Sequence, residues 1–183
     1  MLQVARLIHV NGPSGVGKST FARVYVDRHP GVLDLDIDQV VHLVGGWRDD
    51  FWKAFEAALS LAVSMAEAHL RTGHDVVMPQ MLTKVEEAED FQAAADRAGA
   101  EYHEIVLMAG KEQMIDRFAS RAAGASDVHR HIDDIVVRGG GPVFLERIHD
   151  QLSAYLDARP ECVVVRTDGR DPAQTYDAVL AAL

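Results

Sequence analysis

Short apolar runs alternate along this chain with longer stretches in which apolar residues recur every three or four positions. The runs at 4–10, 32–36, 76–78, 102–108 and 162–166 have the length and β-branched content of buried strands. Between them, 18–28, 49–71, 83–99, 111–121 and 143–156 carry helical spacing. In the longest, Phe51, Phe55, Leu59, Ala62, Val63, Ala66 and Leu70 form the expected apolar stripe. A shorter helical piece, 39–44, runs into Gly45-Gly46. Pro30, Gly73 and Gly99 supply stops, and Thr83-Lys84-Val85-Glu86 has capping-box spacing. Asp171-Pro172-Ala173-Gln174 opens a last helix in the same way, with proline in its first turn. Strand and helix in alternation predict a parallel sheet covered on both faces. The stretch 122–141 breaks the pattern. It is rich in glycine, charge and histidine, and a connection of that length predicts a lid. No repeat or linker divides the chain, so 1–183 reads as one domain.

The first strand leads into Gly12-Pro13-Ser14-Gly15-Val16-Gly17-Lys18-Ser19-Thr20, and a helix follows directly. This G-x-x-x-x-G-K-S run between strand and helix is the phosphate-loop arrangement. Its glycines let successive N–H groups curl inward at phosphate oxygens, and the helix adds its positive end. Lys18 would reach the β- and γ-phosphates and Ser19 would hold magnesium. Gly12, Ser14, Gly15, Val16, Gly17, Lys18, Ser19 and Thr20 are therefore the expected nucleotide contacts. Five strands with the loop after the first give a three-layer α/β P-loop nucleoside triphosphate hydrolase fold. Small size and the late lid favour the kinase branch; motor, GTPase and AAA+ branches call for more chain or further motifs.

Composition narrows the partners. Eighteen basic against 28 acidic side chains leave a net charge of −10, which argues against a nucleic-acid partner because phosphate backbones need a basic face. ATP needs only a local positive pocket. The single cysteine, Cys162, excludes an internal disulfide and fits a reducing cytoplasm. No signal-peptide pattern and no membrane-length apolar run appear. Nine histidines include no H-E-x-x-H and no cysteine–histidine spacing, so zinc is not indicated.

Asp36-Ile37-Asp38 lies at the carboxyl end of the second strand, where open parallel sheets bind ligands. In an extended segment the two carboxylates would face one cleft. Asp38 is the expected base for an attacking hydroxyl and Asp36 the expected magnesium or water support. Asp34 is a weaker third candidate, and Asp38 could instead cap the helix that follows.

HVNGPSGVGKST followed by LDLDID resembles the small P-loop kinases, a group that includes shikimate and gluconate kinases, chloramphenicol phosphotransferase and zeta-toxin-like proteins. Val76-Val77-Met78-Pro79-Gln80-Met81 is most similar to the matching stretch of tunicamycin-resistance-like ATP-binding proteins. The resemblance implies that Asp38 contacts the acceptor hydroxyl. It also implies that arginines before and within the lid, here Arg121 and Arg130, stack on adenine and stabilise the transferring phosphoryl group. Arg117 reads as an ion-pair former on a solvated helix face, and Arg138 as a further lid residue. The loop holding Gly169 falls where such kinases contact adenine through backbone groups. One departure is plain: the third strand ends in Met78-Pro79-Gln80, without the acid that many P-loop enzymes place there to orient magnesium.

The acceptor site is expected around Trp47, Arg48, Asp49, Phe51, Trp52 and Gln80, with Trp47, Arg48 and Gln80 the preferred contacts and Trp52 divided between core and site. The sequence thus points to an ATP- and Mg2+-dependent phosphotransferase acting on a hydroxyl of a small metabolite or antibiotic. Asp38, Lys18 and Arg130 would be its catalytic residues. Two alternatives stay open: a non-catalytic ATP-binding protein that sequesters its ligand, and a nucleoside or nucleotide kinase.

Overall fold

A computed structural model describes residues 4–119 and 127–183. Strands β1 (Arg6–Asn11), β2 (Leu33–Asp34), β3 (Val76–Met78), β4 (Glu101–Met108) and β5 (Val163–Arg166) form one parallel sheet in the order β2-β3-β1-β4-β5. Helices α1 (Lys18–Arg28), α2 (Ile37–Val41), α3 (Phe51–Leu70), α4 (Val85–Ala98), α5 (Lys111–Ala119), α6 (Asp127–Arg138), α7 (Pro142–Ala158) and α8 (Pro172–Leu180) connect or follow them. With β1 central and its neighbours reached by crossovers, the carboxyl ends of β1 and β3 open onto one crevice.

Side-chain alternation along the strands sorts the core into two layers. Ile8, Val10, Val77, Ile105 and Leu107 face Phe21, Ala22 and Tyr25 of α1 and Tyr176 and Val179 of α8. Leu7, Val76, Met78, Val106 and Met108 face the opposite way, against α2, α3, α4 and α7. The strands are therefore apolar on both faces, which is why they read as continuous hydrophobic runs.

The long helix buries its expected stripe unevenly. Phe51 and Leu70 are buried at its ends, but between them the buried line is Ala54, Ala58, Ala62 and Ala66, four residues apart. Small side chains let α3 lie close to Ala88, Phe91 and Ala95 of α4. Phe55, Leu59 and Val63 are only partly buried, so the Phe55 side of the helix is turned toward the crevice.

Two helix starts differ from expectation and one agrees. The β2 strand stops at Asp34, and α2 begins at Ile37 with Asp36 as its N-cap, the Asp36 carboxylate accepting from the Asp38 N–H at 3.0 Å. Asp36 and Asp38 therefore do not alternate along a strand, because a local cap takes over the backbone two residues early. Likewise α4 starts at Val85 with Lys84 as N-cap and no side-chain cap bond, so the Thr83–Glu86 box does not form. The Asp171–Gln174 box on α8 forms in both directions. Part of the expected lid is helix α6, followed by Gly139-Gly140-Gly141 and α7.

Candidate functional site

The phosphate loop is fixed by backbone geometry that only glycine accommodates. Gly12 has φ 137°, and a Cβ there would lie 2.3 Å from the Leu107 carbonyl oxygen. Gly17, at φ 107°, is the N-cap of α1, with no side-chain cap and no acidic residue in the first turn. The first N–H groups of α1 are thus left for an external anion, at the positive end of the helix. Lys18 Nζ donates to the carbonyls of Gly12 and Pro13 at 2.7 and 2.9 Å, folded back over the loop.

The loop forms a ridge between two cavities. On one side Gly15, Val16, Gly17, Thr20 and Phe21 line a space of about 340 Å³ with Arg117 of α5, Arg170 of the β5–α8 connection, and Pro172 and Thr175 of α8. Arg117 donates to the Thr167 hydroxyl and carbonyl at 3.2 and 3.0 Å, which holds its guanidinium beside the loop. Asp168 accepts from the Gly110 N–H at 2.7 Å and ties this connection to the end of β4. Arg117 is thus a wall residue of this cavity, not a residue of a solvated face. Arg170 was missed by sequence reasoning, although its position one residue past the turn glycine Gly169 could have marked it.

On the other side, Ser14, Lys18 and Ser19 meet Asp38, Gln80, the α3 residues Phe51, Trp52, Phe55 and Glu56, and parts of α6 and α7 in a cavity of about 300 Å³. Both volumes suit small ligands. Gln80 and Asp38 fall where the acceptor contacts were expected. Trp47 and Arg48 do not line this cavity. Trp47 is buried at 6 % exposure against His42 and His131, and the Arg48 guanidinium stacks on it 4.2 Å from the ring centroid. An indole next to a helix bundle buries more apolar surface inside than in an open cleft. Trp52 takes the opposite place, 61 % exposed and lining the cavity. Arg130 is exposed on α6 and lines neither cavity. Arg121 lies outside the described residues. Gly169, at φ 68°, shapes the turn before Arg170 without lining the cavity itself.

A buried polar network on β1 and β4 sets the relative position of the two halves. The Asn11 amide oxygen accepts from the N–H groups of Gly12 and Leu82 at 2.7 and 3.1 Å. Its nitrogen donates to the Leu82 carbonyl and to Glu104, both at 3.0 Å. One side chain therefore joins the start of the phosphate loop to the 79–83 segment that carries Gln80. His9 Nε2 lies 2.9 Å from the Gln80 carbonyl and Nδ1 lies 2.9 Å from the Tyr102 hydroxyl. Burial drives the His9 pKa down, so the neutral ring donates from Nε2 to Gln80 and accepts from Tyr102 at Nδ1. Burial would raise the Glu104 pKa, but hydrogen bonds from Asn11 and Tyr155 help to hold the carboxyl below its usual range. Arg159 approaches that carboxylate at 3.3 Å. Asp34 differs: although the residue is exposed, partial burial of its carboxyl and the neighbouring Asp36 charge push its pKa up to about 6, against a pull from Arg23.

Among the described residues no cluster of three or more His, Cys, Asp or Glu could hold a metal. Magnesium at a phosphate loop asks for less: one or two oxygen ligands plus phosphates and waters. Ser19 and Asp38 line one cavity and fit that donor set, whereas Asp36 spends a carboxylate oxygen on its cap.

A strained glycine turn, an uncapped helix start and a lysine folded over it, at the carboxyl end of the central parallel strand, define a P-loop nucleotide-binding domain. The chain belongs to the AAA domain family, whose model matches residues 7–136. Among curated proteins, none matches this sequence. Its fold is that of several solved structures over nearly the whole chain. A tunicamycin resistance protein of Deinococcus radiodurans is 17 % identical, with 97 % of this chain and 94 % of that one covered, at a TM-score of 0.62. A gluconokinase of Sinorhizobium meliloti is 16 % identical over 98 % and 92 %, at 0.62. A sugar kinase of a Janibacter species is 15 % identical over 97 % and 94 %, at 0.64. The family description carries the AAA name, while two of these three whole-chain neighbours are described as kinases.

Proposed function

We propose that this protein is an ATP-dependent phosphotransferase acting on a hydroxyl group of a small molecule. The observation that carries the reading is the ridge itself: Lys18 and Ser19 face a cavity that also holds Asp38, while a second cavity across the loop holds Arg117. ATP would place its adenosine on the Arg117 side and its γ-phosphate over Lys18. The acceptor hydroxyl oxygen attacks the γ-phosphorus, the bond to the β,γ-bridging oxygen breaks, and ADP departs with that electron pair. Asp38 takes the hydroxyl proton, and Lys18 offsets charge that builds on the phosphoryl oxygens. Ser19, with Asp38 nearby, would hold Mg2+, which when bound neutralises phosphate charge. The solved relatives described as kinases, and the small-kinase resemblance of HVNGPSGVGKST, support this reading. Incubation with ATP and pooled hydroxylated metabolites and antibiotics should give a product heavier by one phosphoryl group by mass spectrometry. A bound but unmodified ligand across an otherwise active pool would count against it.

One observation favours a second reading, an ATP-binding protein that sequesters its ligand without transfer. β3 ends in Met78-Pro79-Gln80 with no carboxylate, and Asp36 is engaged as a cap. The same assay separates the two. The nucleotide-kinase alternative needs an arginine clamp on the acceptor side. Arg48 stacks on Trp47, and Arg71 pairs with Glu67 at the far end of α3.

A further inference from the structure

The cavity beside Asp38 has an uneven lining that bears on which acceptor it takes, and the inference rests on the phosphotransferase reading above. Its phosphate-loop end is polar, with Lys18, Ser19 and Asp38. The opposite wall is Trp52 and Phe55 of α3 with Phe144 and Ile148 of α7. Trp52 stays 61 % exposed at this wall, packed edge-on against Phe51 and Phe55 at centroid distances of 5.3 and 6.2 Å. A large aromatic left in water at the rim of a cavity marks surface that a ligand would cover.

The charges of the lining point the same way. Its basic side chains are Lys18 and Lys84, with no arginine among the described lining residues. Lys84 pairs with Glu87 at 2.9 Å, and Lys18 belongs to the phosphate loop. Glu56 and Glu87 add two further carboxylates to Asp38. An acceptor bearing a carboxylate or phosphate would be drawn out of water against three acidic groups, only one of them paired with a lysine of the lining, and with no guanidinium fork to receive it. A neutral apolar body would instead gain contact area along Trp52, Phe55 and Phe144. We infer that the acceptor is an alcohol with an apolar, aromatic-sized body and no acidic group. It is seated with its hydroxyl at Asp38 and its body against the Trp52–Phe144 wall.

The test uses matched compounds and reads binding separately from transfer. One set is glucose, phenyl β-glucoside, glucuronic acid and phenyl β-glucuronide. The other is 1,2-butanediol, 4-phenyl-1,2-butanediol and 2-hydroxy-4-phenylbutanoate. Binding is followed by tryptophan fluorescence with ATP absent and by calorimetry, because Trp47 is buried and Trp52 is the indole at the cavity. The phenyl group should tighten binding about tenfold in the neutral pairs, and a carboxylate should weaken it by a similar factor. Trp52→Ala, at an exposed position, should erase the phenyl advantage without altering ATP affinity. Equal or tighter binding of the acidic members overturns the inference. So does an absence of saturable binding by the neutral phenyl members of both sets. ATP consumption is measured in parallel: the expected binding order with no transfer to any member would sink the phosphotransferase reading and leave the acceptor class standing.

Discussion

The cavity beside Arg117 takes most of its lining from one stretch between residues 15 and 21, closed by Arg117 of α5, Arg170 and the head of α8. The cavity beside Asp38 shares only the other flank of that loop. The rest of it comes from α2, α3, the segment after β3, the start of α4, α6 and α7, elements far apart in the chain. The first is built on backbone geometry and N–H groups, which any sequence with the right glycines supplies. The second is built on side chains whose direction depends on how five helices pack. A donor site assembled locally can stay constant while an acceptor site assembled from many elements is free to vary with its ligand.

This difference can be tested by variants that should injure one half and spare the other. The largest effect is expected for Asp38→Ala. Transfer should fall by about 10³-fold, within the range of a lost general base, while ATP affinity measured by calorimetry without Mg2+ stays within about threefold. A comparable loss of ATP binding would move Asp38 out of the acceptor half. Asn11→Ala should injure both halves together, since its amide bonds Gly12, Leu82 and Glu104. Leaving those buried groups without partners should cost about 3 kcal/mol in urea unfolding. Arg117→Ala should weaken ATP binding about tenfold, the order of a lost charge-assisted contact, with the acceptor KM unchanged.

The smallest effect concerns Asp34, which neither cavity includes. Its folded-state pKa of about 6 lies above the ordinary aspartate value of 3.8, so between these values the folded chain binds more protons than the unfolded one. Stability from this group therefore falls as pH rises from about 4 to about 6. The residue is exposed, which keeps the effect below about 1 kcal/mol. Asp34→Asn should flatten that part of the stability profile, measured by thermal unfolding across the window, and leave both affinities alone.

What could be read in the sequence follows the same division. The glycine loop, the five strands and the Asp171 cap depend on neighbours in the chain, and each appears where pattern and local chemistry put it. The α3 stripe holds at Phe51, Ala62, Ala66 and Leu70, but spacing marks bulky residues as core, and Ala54 and Ala58 facing α4 are buried where Phe55 and Leu59 are only partly so. Asp36 and Asp38 failed as a strand pair because the Asp36 cap starts α2 early. Trp47 and Trp52 have nearly interchangeable positions in sequence, and only the packing of Trp47 against His42 and His131 sends one inward and leaves the other at the cavity. Arg117 looked like an exposed helix residue until Thr167, 50 residues away, held it beside the loop.

The sequence by itself determined that a parallel sheet carries a phosphate loop at the end of its first strand. Glycine conformations, helix capping and strand hydrophobicity are local energies, settled within a few residues. Only the tertiary structure decided what faces that loop. Asp38, Trp52, Phe144 and Arg117 come from separate elements: Thr167 holds Arg117, the packing of α3 on α4 through its alanines sets the side on which Trp52 lies, and Asn11 and His9 pin the 79–83 segment to β1.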